Sequence, residues 1–143
     1  MGFTDIPVAL RWSDQDANGH LNNARIVTLL EESRVRWVRA HTGLDSFRGG
    51  AGTVVASLTV DYLAQGEYVP EMVVRVGVER IGTKSVDVRH VGVQGGTTVF
   101  DATTVLVPLA DDGRSARAVT AEERDVFSAC LVETRPGRGR RGA

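Results

Sequence analysis

The stretch DQDANGHLNN, residues Asp14–Asn23, places two aspartates, three asparagines, a glycine and a histidine in ten positions. It lies between a strand-like run, DIPVALRW at residues 5–12, and a helix-like run that begins at residue 24. Polar residues at the start of a helix serve as turn formers and caps. They also supply the acids, bases and hydrogen-bond donors of active sites. The flanking sequence is therefore needed to distinguish a turn and helix cap from an active site.

The run after the polar cluster predicts one long helix over residues 24–40. Its apolar positions recur at three- and four-residue spacing, which gives one buried face. Gly43 fits a left-handed cap at the helix end. At ~1.5 Å per residue, the helix would be about 25 Å long. The predicted apolar stripe is Ile26, Leu30, Ser33, Trp37 and Ala40.

Four β-rich runs follow, and they predict four strands. The third strand loses its alternation between His90 and Val91, which indicates a β-bulge. Short links at residues 65–67, 82–83 and 94–96 lead us to expect that consecutive strands pair as antiparallel hairpins. The strands are predicted at residues 54–62, 74–79, 85–93 and 99–107, the last with Phe100, Ala102, Thr104 and Leu106 on one face.

The end of the chain predicts a short helix and a polar tail. Residues 120–131 have Thr120 as a cap with Glu123 at the third helical position, the pattern of a capping box. The rest is rich in Arg and Gly, so we expect residues 132–143 to be a disordered basic tail. Residues 1–131 would form a single domain.

The order of elements predicts an α+β fold. The predicted elements are a strand, one long helix and four antiparallel strands. A sheet of five strands would therefore have one long helix to cover it. A helix cannot cover both faces, so we expect a curved sheet wrapped around it. An unpaired edge of that sheet would need a partner.

The composition excludes several classes of protein. The net charge of the 143 residues is -1, which favours neither nucleic acid nor an anionic membrane as a partner. Cys130 is the single cysteine, so an intrachain disulfide or a thiolate metal cluster is excluded, and the three histidines are too scattered to suggest a metal site. The start of the sequence lacks a signal-peptide pattern and no run approaches ~20 apolar residues, so we expect a cytoplasmic protein.

Residues Asp16–Asn23 read D-x-N-x-H-x-N-N between a strand end and a helix. This pattern resembles the hot-dog-fold acyl thioesterases of the hydroxybenzoyl-CoA thioesterase type, closest to acyl-CoA and acyl-ACP thioesterases with Asp, Asn and His in this loop. The resemblance covers residues 5 to about 127, and the runs VVASLTVDYLAQGEYVPEMVVRVGVERIGTKS and DATTVLVPL look like family strands. It departs from the family at Ile26, where an aromatic residue is common, and in having one domain where plant acyl-ACP enzymes have two.

The resemblance implies the hot-dog fold, a curved antiparallel five-stranded sheet around one long helix, and a thioesterase without metal or organic cofactor. Thioester hydrolysis needs a carboxylate that attacks the carbonyl or activates water, and Asp16 could do either. Asn18 and His20 could orient Asp16, position water or help the leaving thiolate. Gly19 would leave room for the thioester.

A helix that starts near Asn22 or Asn23 presents backbone N–H groups to a developing oxyanion. One of these asparagines is expected to cap the helix and the other to shape the site. Asp14 is interpreted as a turn or strand-end residue. Glu31 and Glu32 are the rival carboxylates, because another branch of hot-dog thioesterases uses a carboxylate on the helix, but we expect a structural role for both. His90 is interpreted as a core histidine and Cys130 as inert.

CoA carries phosphates, so a basic mouth is expected. Lys84 and Ser85 at the Gly82 turn are candidates, because this region of relatives often approaches the substrate across a dimer. The predicted partners are an acyl-CoA or acyl-carrier-protein substrate and a second copy of the chain, as a homodimer that could double into a tetramer. The alternatives are a non-catalytic acyl-CoA-binding hot-dog protein and a hot-dog hydratase or dehydratase. The chain lacks a D-x-x-P-x-H hydratase motif, which weakens the last.

Overall fold

A computed structural model describes residues 2–44 and 52–136. A single five-stranded antiparallel sheet holds one long helix on its inner face. A 3₁₀ turn at Trp12–Asp14 precedes the long helix, and a π-helical turn at Val38–Thr42 follows it. The other elements are β1 (Thr4–Val8), α1 (Asn23–Trp37), β2 (Thr53–Tyr62), β3 (Met72–Ile81), β4 (Val86–Gln94), β5 (Thr97–Pro108) and α2 (Ala121–Ser128).

The strand order is β1-β3-β4-β5-β2, and this is the hot-dog fold that the resemblance implied. The predicted hairpins β3–β4 and β4–β5 are confirmed. The predicted pairing of β2 with β3 is wrong, because β2 pairs with β5 and β3 pairs with β1. Gly66 lies at the predicted turn between β2 and β3, but its carbonyl accepts the N–H of Leu21 at 2.7 Å. A Cβ at Gly66 would lie 2.7 Å from Leu21 Cδ1, so glycine permits a close crossing of the chain at this point.

The apolar stripe of α1 packs on the inner face of the sheet, as predicted. Ile26, Leu30, Ser33 and Trp37 are buried, but Ala40 is exposed. The π-helical turn changes the phase of the helix at this point, so Val38 and Thr42 are buried in place of Ala40. The helix ends at Gly43, whose φ of 65° confirms the predicted left-handed cap.

Two further predictions about strands are corrected. β1 ends at Val8, and the chain then forms the 3₁₀ turn in place of a strand to residue 12. The register of β4 shifts between Gly92 and Val93, not between His90 and Val91. His90 is one of the buried positions of β4, so the alternation of buried and less buried residues continues through it. In the sequence, its polar side chain hides this alternation.

The end of the chain crosses the outer face of the sheet, the face opposite α1. The capping box of Thr120 and Glu123 is confirmed at the start of α2, which ends at Ser128. Val132 N then donates to Val78 O at 2.8 Å, and Arg135 is only 3% exposed. Disorder is therefore the wrong prediction for residues 132–136, while residues 137–143 of the expected tail lie outside the described residues. No helix in the described ranges is long and apolar enough to cross a membrane.

Candidate functional site

The loop between β1 and α1 is organised around the carboxylate of Asp16. Asp16 Oδ1 accepts hydrogen bonds from the backbone N–H groups of Asn18 at 2.8 Å and His20 at 3.1 Å. Asp16 N donates to His20 O at 2.7 Å and closes the loop. The side chain is exposed, and no described residue donates a hydrogen bond to Oδ2. One carboxylate oxygen therefore holds the loop while the other faces solvent.

Gly19 forms the tip of this loop. Its φ of 77° lies in the left-handed region, where a side chain would be strained. No atom lies within 4 Å of the position that a Cβ would occupy, so the space beside the tip is open. The glycine thus serves the backbone conformation of the loop and leaves its surface accessible.

Asn22 and Asn23 have different contacts at the start of α1. The side chain of Asn22 accepts the N–H of Ala24 at 2.8 Å, so Asn22 is the helix cap. Asn23 is the first residue of the helix and is exposed. Its carbonyl accepts a hydrogen bond from the Tyr62 hydroxyl at 3.0 Å. The sequence reasoning missed Tyr62, whose only signal was its place in the apolar alternation of β2.

Asp14 belongs to the scaffold of the loop. It is 1% exposed and accepts hydrogen bonds from the backbone and the guanidinium of Arg11, both at 2.9 Å. Burial opposes the charged form of Asp14, but the Arg11 hydrogen bonds outweigh it and lower the pKa of the carboxyl below its ordinary value. The Asp14 carbonyl also accepts the Asn22 N–H at 2.8 Å, which ties the loop to the helix start.

Lys84 and Ser85 lie far from Asp16 in the same chain. Val8, the last residue of β1, pairs with Met72 at the start of β3, whereas Lys84 follows the end of β3. The ten residues of β3 span about 33 Å at ~3.3 Å per residue. Ser85 O accepts the N–H of Gly82 at 2.8 Å and closes the turn. One chain therefore does not bring these two candidates to the Asp16 loop.

The carboxylates of the helix lie on its solvent side. Glu31 and Glu32 are exposed, and Glu32 forms an ion pair with Arg36 at 2.9 Å. No group of three or more His, Cys, Asp or Glu side chains within residues 2–44 and 52–136 could hold a metal ion. Among the candidate carboxylates, Asp16 is the one held at the start of α1.

A family model of the thioesterase-like superfamily matches residues 10–129, which include the Asp16 loop, both helices and β2 to β5. The chain belongs to the thioesterase-like superfamily.

Several known proteins resemble this thioesterase-like chain along most of their length. The uncharacterized protein YsmA of Bacillus subtilis (strain 168) is 29% identical over 121 residues, 84% of this chain and 82% of YsmA. A predicted thioesterase from Bacillus stearothermophilus has the same fold, with a TM-score of 0.82, 23% identity and coverage of 94% and 100% of the two chains. A thioesterase from Thermus thermophilus, solved as a complex with coenzyme A and Zn, has a TM-score of 0.77, 28% identity and coverage of 87% and 91%.

Beside α1, the inner face of β2 is partly exposed, and we call the strip between these two elements the α1–β2 groove. Tyr62 bonds to the helix start at one end of the groove. At the other end Arg34 reaches Thr104, the β5 partner of Leu58. Leu58 and Tyr62 are 37% and 45% exposed although they continue the inner face of the sheet. Tyr62 therefore links the apolar inner face of β2 to the start of α1, where the Asp16 loop ends.

Proposed function

We propose that this chain is a thioesterase that hydrolyses an acyl-CoA or acyl-carrier-protein thioester to a free acid and a thiol. The observation that carries the proposal is the Asp16 carboxylate, exposed and held by two backbone N–H groups at the start of α1. Membership of the thioesterase-like superfamily supports the reaction class. The coenzyme A bound to the Thermus thermophilus relative supports CoA as the thiol.

In this mechanism Asp16 acts as nucleophile or as general base. The fixed Oδ1 leaves Oδ2 free to attack the thioester carbonyl or to accept a proton from water. The start of α1 supplies partial positive charge and N–H groups for the oxyanion, and one such donor is worth ~2.7–4 kcal/mol in a transition state. Asn18 and His20 serve the water or the leaving thiolate, and Gly19 leaves room for the thioester.

The change Asp16→Asn tests the proposal. The amide oxygen of asparagine can still accept the N–H groups of Asn18 and His20, so the loop is retained while the charge is lost. We expect kcat to fall more than tenfold, equivalent to ~1.4 kcal/mol of barrier, with CoA-thioester binding retained. Thiol release from a panel of acyl-CoAs measures kcat, and calorimetry measures binding.

The matched control is Asp112→Asn. Asp112 is also an exposed loop aspartate, and its Oδ1 accepts the N–H groups of Arg114 and Ser115 at 2.8 Å. It follows β5 at the end of the sheet opposite to the Asp16 loop, so its loss should leave kcat unchanged. Full activity of Asp16→Asn would refute the assignment. Turnover in heavy-oxygen water tests the nucleophile role, because label enters the Asp16 carboxylate only when water opens an acyl-Asp16 anhydride at the aspartyl carbonyl.

We further propose that the active unit is a homodimer formed along β2. This edge strand has ten residues, contains no proline and exposes Val54, Val55 and Leu58. The other edge strand, β1, has five residues and includes Pro7, which cannot donate a ladder hydrogen bond. A second copy is also the only source from which Lys84 and Ser85 could reach the Asp16 loop. A two-fold axis across β2 would then give two equivalent shared sites.

A further inference from the structure

Arg34 is a partly buried cation on the groove side of α1. Its Nη1 donates one hydrogen bond, to Thr104 Oγ1 at 3.3 Å, although a guanidinium carries five N–H donors. No carboxylate in the described parts of the chain forms an ion pair with it. Burial lowers the pKa of Arg34 below its ordinary value, and nearby Glu31 opposes this shift only in part. Buried charges are normally paired. Arg34 therefore lacks, among the described residues, the anionic partner that a charge in its position usually has.

Two further polar groups meet Arg34 beneath the helix. His90 Nε2 lies 3.2 Å from Thr104 Oγ1, and both residues are fully buried. His90 Nδ1 is buried without a hydrogen-bond partner among the described residues. We call these three residues the Arg34 cluster. It provides a cation, a hydroxyl and an unsatisfied ring nitrogen on a face that is otherwise a hydrophobic core.

The Arg34 cluster lies at the end of the α1–β2 groove that is remote from the Asp16 loop. Thr104 pairs with Leu58, and Tyr62 marks the loop end by its bond to Asn23. The four residues from Leu58 to Tyr62 span about 13 Å at ~3.3 Å per residue. An acyl chain that enters at the start of α1 and lies along β2 would need at least this length to bring its far end near the guanidinium.

We propose that Arg34 binds a carboxylate at the distal end of the acyl group, so that the preferred substrates are CoA monothioesters of medium-length dicarboxylic acids. A carboxylate would pair with the guanidinium in the fork geometry that arginine favours and would accept the Thr104 hydroxyl. A methyl end would bury the same cation without compensation. The inference rests on the proposed thioesterase function and adds the chemical class of its acyl group.

The test compares acyl-CoAs of equal chain length that end in a methyl group or in a carboxylate, such as dodecanoyl-CoA and dodecanedioyl-CoA. We expect kcat/KM of the wild-type enzyme to favour dodecanedioyl-CoA at least tenfold, mainly through a lower KM. Arg34→Met should remove or reverse this preference, mainly by raising KM for dodecanedioyl-CoA. Arg34→Lys should retain part of the preference, because it keeps the charge without the fork.

Arg36→Met is the matched control, since Arg36 lies on the same helix but bonds to Glu32 and to Pro7 O on another side. It should leave the preference unchanged. Equal or better use of dodecanoyl-CoA by the wild type would overturn the proposal. Dissociation of a dimer by Arg34→Met, measured by light scattering, would overturn it too, because a carboxylate of the second copy would then be the partner of Arg34.

The proposed function and this inference can fail separately. If neither thioester is hydrolysed, the thioesterase proposal fails, and the binding affinities of the two thioesters still test Arg34. If both are hydrolysed with equal kcat/KM, the enzyme is a thioesterase and the role of Arg34 is refuted. Thermal unfolding of each variant is measured alongside, so that a general loss of structure is not mistaken for a change in specificity.

Discussion

The imidazole of His90 couples the core of the protein to pH. Burial, and to a smaller extent the charge of Arg34, lowers the pKa of His90 from 6.5 to about 3. In the unfolded chain the ring titrates near its ordinary value, so protons bind the unfolded state first as the pH falls. The stability that neutral His90 preserves is therefore fully present above pH 6.5 and is lost progressively as the pH falls toward 3.

The change His90→Gln should flatten this acid dependence. Glutamine can keep a hydrogen bond to Thr104 but does not titrate. At pH 4 the wild type should have lost about 3 kcal/mol more of its free energy of unfolding, relative to pH 7, than the variant has. Urea unfolding at a series of pH values measures the difference. The exposed His41→Gln is the control and should follow the wild type; parallel curves for His90→Gln would contradict the assignment.

Single residues were predictable where their contacts are local. The Asp16 loop and the Asn22 cap use partners within four positions, so a contiguous motif displays them. The roles proposed for the loop residues in catalysis are still predictions. Arg34 depends on Thr104, seventy positions away, and nothing near Arg34 in the sequence distinguishes it from the exposed arginines of the same helix.

The C-terminal segment, residues 132–136, is the element whose sequence was most misleading. Arg135 enters a row of polar side chains on the outer face of the sheet. Its guanidinium bonds to Asp61, to Thr103 Oγ1 at 3.3 Å and to Asp101 O at 3.1 Å, and its backbone N–H donates to Glu79 Oε2 at 3.2 Å. The segment begins a polar, arginine-rich tail and therefore looked solvated, because the charged outer face that receives it could not be read from the sequence.

Truncation separates this segment from the residues that follow it. A chain that ends at Leu131 loses Arg135 and leaves buried acceptors on the outer face without their donor. We expect it to lose ~1–3 kcal/mol of unfolding free energy, the usual cost of leaving buried hydrogen-bonding groups without their partners. A chain that ends at Pro136 is the control and should match the full-length protein. Equal stability of the two truncated chains in chemical denaturation would show that Arg135 contributes nothing.

Helices and strands were readable from periodicity, but the order of the strands was not. The apolar stripe of α1 from Ile26 to Trp37 and the buried inner face of β5 follow from local spacing and are confirmed. The pairing of β2 with β5 goes together with long-range contacts that local spacing does not show, such as the hydrogen bond between Gly66 and Leu21. A glycine that permits close approach and a glycine that forms a turn look alike in a sequence.

At the scale of the whole molecule, the two sheet edges differ in their capacity to pair. The β2 edge is long and apolar, and the β1 edge is short and interrupted by Pro7. An exposed apolar edge of this length is a template for a second strand. This asymmetry supports the proposed dimer across β2 and places the α1–β2 groove beside the second copy.

The change Val55→Lys tests the β2 edge. Val55 is 49% exposed in the single chain, and a lysine would bring like charges together across a two-fold interface. We expect the variant to run as a 15.4 kDa monomer in light scattering and to lose thioesterase activity. Thr4→Lys adds the same charge to the β1 edge and should keep both the wild-type mass and the activity. A fully active Val55→Lys monomer would exclude a shared site.

The pairing of β2 with β5 also imposes a delay between the synthesis of β2 and its pairing in the nascent chain. Tyr62 pairs with Phe100, so about 40 residues must be added after β2 has been synthesised before its ladder can begin. At ~5–20 residues per second, this delay is about 2–8 s. During this delay β2, an apolar strand without proline, remains unpaired, whereas β3 and β4 can already form their hairpin. Asp61 adds a charge at the end of that strand, where it opposes premature association between chains emerging from neighbouring ribosomes.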